Sequence, residues 1–503
     1  MLPDDVLLEI FDCLRLAAAT DSNSDRSDDP PSSAAGLTWS PWEWHRLAHV
    51  CRRWRSLVFA SPHRLDLRLV YTYKLPARVR KKALESWPTL PITIWYPWQS
   101  EVRGRFRRLE DENNVSFALR HPDRIREINL FLTSSLLSKS GARVLASFPV
   151  LEYLRLESRY PTKPSALPVD FLGGSTPRLR DIHLTDIAFP TLPLLILSTR
   201  HLVSLRLDRV SRLGYFSPEE LSIGLSMTTQ LKSLWIHFLH LASSVSRDTG
   251  SAGRPLKVTA MLPALSEFDF CGDSAYLGDL ISRLDTPVLE RLHITFCEPS
   301  TFQTLQLSQF ISRTKSLASP HQMSILLPED ETLTINQFQH PPLSQGHFQL
   351  KIIPEEDEEG ELDMDVSLPQ ILTRLSALLS SVQRLDMKSF SWSPWLGLDD
   401  LDSMFWRDVF CHLKSVTRLS VDGEILAQSI KSALEQLPEE MVRRVLPALH
   451  DLHVGDCQTS GPFEKFATAR QFSGRPLNVY YVAYLPPPDT GLDESSNGLN
   501  VES

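Results

Sequence analysis

Histidines are the first residues to weigh for chemistry in this chain, because an imidazole can move protons near neutral pH. His183, His237, His293 and His453 each fall on an outward position of a short alternating segment. No serine or cysteine nucleophile motif accompanies them, so they make no acyl-transfer set. Gly173 and Gly174 lack the surroundings of a phosphate loop and read as a turn. The six cysteines, Cys13, Cys51, Cys271, Cys297, Cys411 and Cys457, show no paired spacing. That scatter fits reduced, mostly buried thiols rather than disulfides or zinc. The reading is a chain without catalytic residues, metal or cofactor, whose chemistry is recognition. The residues for it are Arg155, His183, Arg206, Trp235, Asp269 and His293, a column of outward side chains. The first three could offer positive charge, Trp235 an aromatic anchor and Asp269 the opposite sign; arginine and aromatic residues dominate interface hot spots once a partner buries them.

Such a column needs a repeating support, and the sequence supplies one. An apolar-x-x-apolar-x-apolar pattern starts at Ile125, Leu151, Leu179, Leu202, Leu231, Leu265 and Leu289, and again at Val382, Val416 and Leu449. The starts lie mostly about 23 to 34 residues apart, at or just beyond leucine-rich-repeat spacing. Alternation on a strand turns the fourth and sixth positions inward and the third, fifth and seventh outward. Helical signals fill the intervals: Ser217, Pro218 and Glu220 make a capping box, and 136–148, 276–284, 302–314, 368–379 and 425–437 read as further helical runs. Earlier strands are expected at 65–69 and 91–95, with a helix over 77–87 between them. Between Ile294 and Val382 the pattern fades, and 323–326, 333–335 and 348–353 read either as the missing strands or as a small sheet insertion.

The N-terminal segment has a different grammar. Val6, Ile10 and Leu14, with Leu7 and Phe11 beside them, form an apolar helical stripe behind Pro3, Asp4 and Asp5. A second amphipathic run spans 44–59, with Trp44, Leu47, Cys51, Trp54 and Val58 on one side. So short a segment cannot hide both stripes on itself, and part of that surface should meet a partner.

Leu2 and Pro3 leading into Leu8, Glu9, Ile10 and Phe11, then Val50, Cys51, Arg52, Arg53 and Trp54 ahead of Leu57 and Pro62, resemble an F-box. Residues 171–180, then Phe189, Pro190, Thr191, Leu192 and Pro193, then 201–207 and 309–314, resemble a large group of fungal F-box proteins with degenerate leucine-rich repeats; the likeness covers most of residues 1–485. The resemblance implies an α/β fold with a helical F-box at 1–62 and a curved leucine-rich-repeat solenoid with a parallel sheet at 63–485. It implies docking of a Skp-type adaptor, and through it a cullin, chiefly by Leu2, Pro3, Ile10, Leu14, Val50, Cys51 and Trp54. The repeats would hold a protein substrate for ubiquitin transfer by other subunits, so that this chain supplies proximity and no covalent step. Departures from the family are a long polar insertion near 17–41, read as a disordered loop, a sequence that opens directly on the motif, and the near-absence of the asparagine that marks regular repeats; separately, an acidic run at 354–365 is expected to stay solvated. Residues 486–503 read as a dangling tail. The competing class is a leucine-rich-repeat scaffold that recruits no ligase; a third is a small-molecule sensor.

Bulk composition agrees with a partner made of protein. With 503 residues the chain exceeds one compact domain, and 42% hydrophobic with 22% charged residues is ordinary for a soluble protein. A net charge of -9 argues against generic nucleic-acid or anionic-membrane binding. The clusters at 78–82 and 103–108 read as basic helix faces. Asp4 and Asp5 stand where a secretory leader would be basic, and apolar runs fall well short of the roughly 20 residues of a membrane helix. A cytoplasmic or nuclear location follows as the expectation.

Overall fold

The structure is a computed structural model that describes residues 2–11, 47, 49–61, 69–71, 82, 84–85, 90–96, 105–132, 145–158, 165–189, 191–239, 260–296, 305–317, 321–327, 333–338, 347–352, 379–389, 403–455 and 463–482. Leu14, the insertion at 17–41, the acidic run at 354–365 and the tail from 486 lie outside them. The fold is mixed α/β with extensive parallel pairing. It divides into two compact units, Met1–Gly272 with Asp279–Val288, and Asp273–Gly278 with Leu289–Ser503. The division falls inside the stretch read from sequence as one array.

The described strands of the first unit's main sheet are β1 (Leu69–Tyr71), β2 (Ile92–Tyr96), β3 (Ile125–Phe131), β4 (Tyr153–Glu157), β5 (Asp181–Thr185), β6 (Ser204–Val210), β7 (Ser233–Phe238) and β8 (Glu267–Gly272). They pair in chain order and all in parallel. The second unit carries β9 (Arg291–Phe296), β10 (Gln322–Leu327), β11 (Leu333–Phe338), β12 (His347–Ile352), β13 (Arg384–Ser389), β14 (Arg418–Asp422), β15 (Asp451–Gly455) and β16 (Asn478–Val482). Their order is β9-β12-β11-β10-β13-β14-β15-β16. β11 pairs antiparallel with β10 on one side and β12 on the other, while β9–β12 and β10–β13 are parallel. The faded stretch of the repeat pattern is therefore a three-stranded meander set into the sheet.

Alternation explains the core. The fourth and sixth positions are buried on strand after strand, as with Leu154 and Leu156, Leu234 and Ile236, Leu419 and Val421, and the first positions Leu151, Leu231 and Val416 join them. A buried threonine ends several crossovers: Thr199 and Thr228, three residues before Leu202 and Leu231, and Thr314 turn their hydroxyls onto the carbonyls of Ile196, Leu225 and Phe310 at 2.8, 2.8 and 2.9 Å. The hydroxyl satisfies a carbonyl left over at a helix end, and the chain can turn into the next strand without an orphaned acceptor.

The expected capping box opens helix Pro218–Leu225, with the Ser217 hydroxyl accepting from the Glu220 N–H and the Glu220 carboxylate accepting from the Ser217 N–H. That helix packs on Leu192–Leu197 so closely that a Cβ on Gly224 would lie 2.9 Å from the Pro193 carbonyl oxygen. In the second unit, Arg470 is fully buried and donates to the Leu449 carbonyl at 2.7 Å. Burial lowers its pKa.

Two expectations need correction. The run at 44–59 is not one helix: Cys51 is extended (φ -156, ψ 171) and its thiol accepts from the Trp54 N–H, so helix Arg52–Ala60 starts afresh there. The three described thiols also sit shallower than expected, Cys51 exposed and Cys271 and Cys411 half-buried.

Candidate recognition surface

Five of the six predicted recognition residues fall in one straight row. Arg155 on β4 pairs with His183 on β5, His183 with Arg206 on β6, Arg206 with Trp235 on β7, and Trp235 with Asp269 on β8. Because every strand keeps the same inward pair, register carries the outward residue of each repeat beside its counterpart. His293 lies on β9 of the second unit, opposite Gln349 of β12.

The row does not offer bare positive charge. Arg155 donates to Glu157, two residues along its own strand, at 2.5 Å. Arg206 donates Nε to Asp208 Oδ2 at 2.7 Å, and its guanidinium lies 4.4 Å from the centre of the Trp235 ring. His183 Nε2 meets the same Asp208 oxygen at 3.0 Å. On the other side, His237 Nδ1 lies 3.4 Å from Asp208 Oδ1 and its Nε2 meets Asp269 Oδ1 at 2.7 Å. Asp208 thus sits between two histidines and an arginine. Burial alone would raise its pKa, but the hydrogen bond from His183 and the Arg206 charge outweigh burial and hold the carboxyl below its ordinary value.

The row above is more acidic. Glu127, Tyr153 and Asp181 are consecutive partners on β3, β4 and β5. Burial raises the pKa of Asp181, with Glu127 adding to it against the pull of Arg180, and burial likewise raises that of Tyr153. The outward face of β3 to β8 carries Glu127, Glu157, Asp181, Asp208, Glu267 and Asp269 against Arg155 and Arg206. Its balance is negative, because acids other than Asp269 occupy the third and seventh positions that flank the column.

No protein-family model matches this chain, and no curated protein does either. Among the described residues, no group of three or more His, Cys, Asp or Glu side chains is arranged to hold a metal ion, and no helix is long and apolar enough to cross a membrane.

The N-terminal residues singled out by motif form a second candidate surface. Residues 4–11 are helical, with Leu7, Leu8 and Phe11 buried. Trp54 is half-buried and meets Phe11 edge-on, ring centres 4.8 Å apart. Arg53 ties the two segments together, donating to Asp4 Oδ1 at 2.6 Å and to the Leu2 carbonyl at 2.5 Å. What stays open is apolar: Leu2 is 51% exposed, Val6 38%, Ile10 37% and Val50 59%. Pro3 and Cys51 are exposed as well.

Sequence reasoning passed over Asp208, which gathers side chains of the row from a flanking position, and the Arg53–Asp4 tie. The signal for Asp208 was its place two residues beyond Arg206, hence on the same face of the strand.

Proposed function

We propose that this chain is the substrate-recognition subunit of a Skp-cullin-F-box type ubiquitin ligase. In this reading the N-terminal helices are an F-box that docks the adaptor, and the strand-and-helix repeats are a leucine-rich-repeat solenoid that holds a protein client. The observation that carries the proposal is the set of exposed apolar residues Leu2, Val6, Ile10 and Val50 on a helix pair whose Leu7, Leu8, Phe11 and Val58 are already inside. Burying such residues contributes about 25 cal/mol per Å² of apolar surface, and a covering subunit supplies that burial. The face of β4 to β8, with Trp235 under Arg206, suits a polypeptide client rather than a reaction.

The test is co-purification of the full chain with a Skp-type adaptor. Ile10→Ala combined with Val50→Asp is expected to abolish capture while leaving the thermal unfolding midpoint unchanged, because both side chains are exposed. Trp54 is a poorer probe, since its contact with Phe11 ties its loss to the packing of the pair. Undiminished capture by the double variant would remove the F-box assignment and favour a scaffold that recruits no ligase.

A further inference from the structure

The sheet face of the second unit carries two buried polar atoms in register that have nothing to bond. On β10, Met323 and Ile325 point into the core, so Ser324 between them lies on the opposite face; its register partner on β11 is Asn336, next to the buried Ile335. Ser324 is only 3% exposed and Asn336 8%, yet Ser324 Oγ and Asn336 Oδ1 have no hydrogen-bond partner. A buried polar group left unpaired costs roughly 1–3 kcal/mol, so two in adjacent register positions point to a ligand that pairs with them.

The charges around them define that ligand. Arg291, Lys351, Arg384, Lys388 and Arg418 lie on the same face, against Asp386, Asp422 and Asp451. Each acid already has a neighbour: Asp386 accepts from Gln322 at 3.0 Å, Asp422 lies 3.8 Å from Lys388, and Asp451 lies 3.5 Å from Arg418. Among the described residues the Arg384 side chain makes no hydrogen bond or ion pair, and its register partners are Gln322 on one side and Arg418 on the other. Like charges directly opposite on neighbouring strands repel, unless an anion lies over them.

We propose that this face binds an extended acidic peptide segment of a partner protein. Its carboxylates would lie over Arg384 and Arg418, and its amides would reach Ser324 and Asn336. From β12 to β14 the sheet crosses four strand spacings of about 4.8 Å, a span that about six extended residues match. The proposal stands apart from the adaptor assignment, because no residue of the N-terminal helices takes part.

Fluorescence anisotropy of the full chain with fluorescein-labelled hexaglutamate tests it, with hexalysine as the opposite-charge probe. Hexaglutamate is expected to bind at low ionic strength and weaken as salt rises, while hexalysine does not bind to this face. Arg384→Gln should weaken hexaglutamate about tenfold or more, the effect of losing one charge-assisted bond. Ser324→Ala should weaken it too while raising the unfolding midpoint, since it removes an unpaired buried hydroxyl; a merely structural serine would move the midpoint and leave binding alone. Absent binding, or affinities unaltered in both variants, would overturn the proposal. So would displacement of the peptide by inorganic phosphate at equal charge, which would make this a small-anion site.

Discussion

The two units use the same inward residues and treat their outward charges in opposite ways. In the first unit, a carboxylate, two imidazoles and a guanidinium close on one another around Asp208, and the arginine that would otherwise reach for a ligand is already engaged. In the second, two arginines stand side by side across β13 and β14, and a serine and an asparagine are buried unpaired. A network that satisfies itself stabilises the fold and leaves little polar capacity for a partner. A face with leftover donors gives up stability and keeps that capacity. Recognition should therefore be polar and salt-sensitive on the second face, and should depend on shape and the Trp235 ring on the first.

The sharpest break of this contrast is Asp208→Ala. It would leave Arg206, His183 and His237 without their shared acceptor and is expected to cost about 3 kcal/mol in urea unfolding. If that variant is as stable as the parent, the first face is not the self-satisfied one. The same group sets an acid limit. Since its folded pKa lies below the unfolded value, the stability it contributes is complete above the ordinary carboxylate range and is lost as pH falls through the depressed value. The gap between parent and Asp208→Asn should narrow in step as urea midpoints are followed into acid.

Thr228→Val tests the scaffold common to both units, and loss of its hydroxyl bond to the Leu225 carbonyl should cost about 1 kcal/mol. Two smaller effects run toward greater stability. Arg384→Gln should gain about 0.5 kcal/mol or less by relieving the Arg418 pairing. Asp181→Asn should raise the melting midpoint slightly near neutral pH. Its raised folded pKa means that ionisation opposes folding above that value, and the advantage should vanish in acid, where the carboxyl is protonated in folded and unfolded chains alike.

Much of the backbone was legible from the spacing of a few leucines. Leu151, Leu154 and Leu156 and their equivalents mark each strand, because a period of two is a local property of the chain. The row from Arg155 to Asp269 followed from the same alternation, since equal registers bring equal positions together. The charge state of that row was not legible. Whether Arg206 is free or engaged depends on Asp208 and His183, which lie on the same and the neighbouring strand, and side-chain reach across strands is not a periodic quantity. The break at Cys51 was hidden for a related reason: the apolar spacing runs on through it, and only the thiol's bond to the Trp54 N–H marks a new start. Strand direction was equally silent in the 321–352 stretch, where alternation reads the same whichever way the chain runs.

That meander sets a timetable for the chain. Most neighbouring strands in either unit are joined through one crossover, but Arg291 must find His347 and Gln322 must find Arg384, and neither pairing can form until the zigzag between them has turned back on itself. Longer closures come later than shorter ones, so the first unit and the run from β13 to β16 can assemble while β9 still waits for its neighbour. Newly made chains would expose the edge of β9 longest.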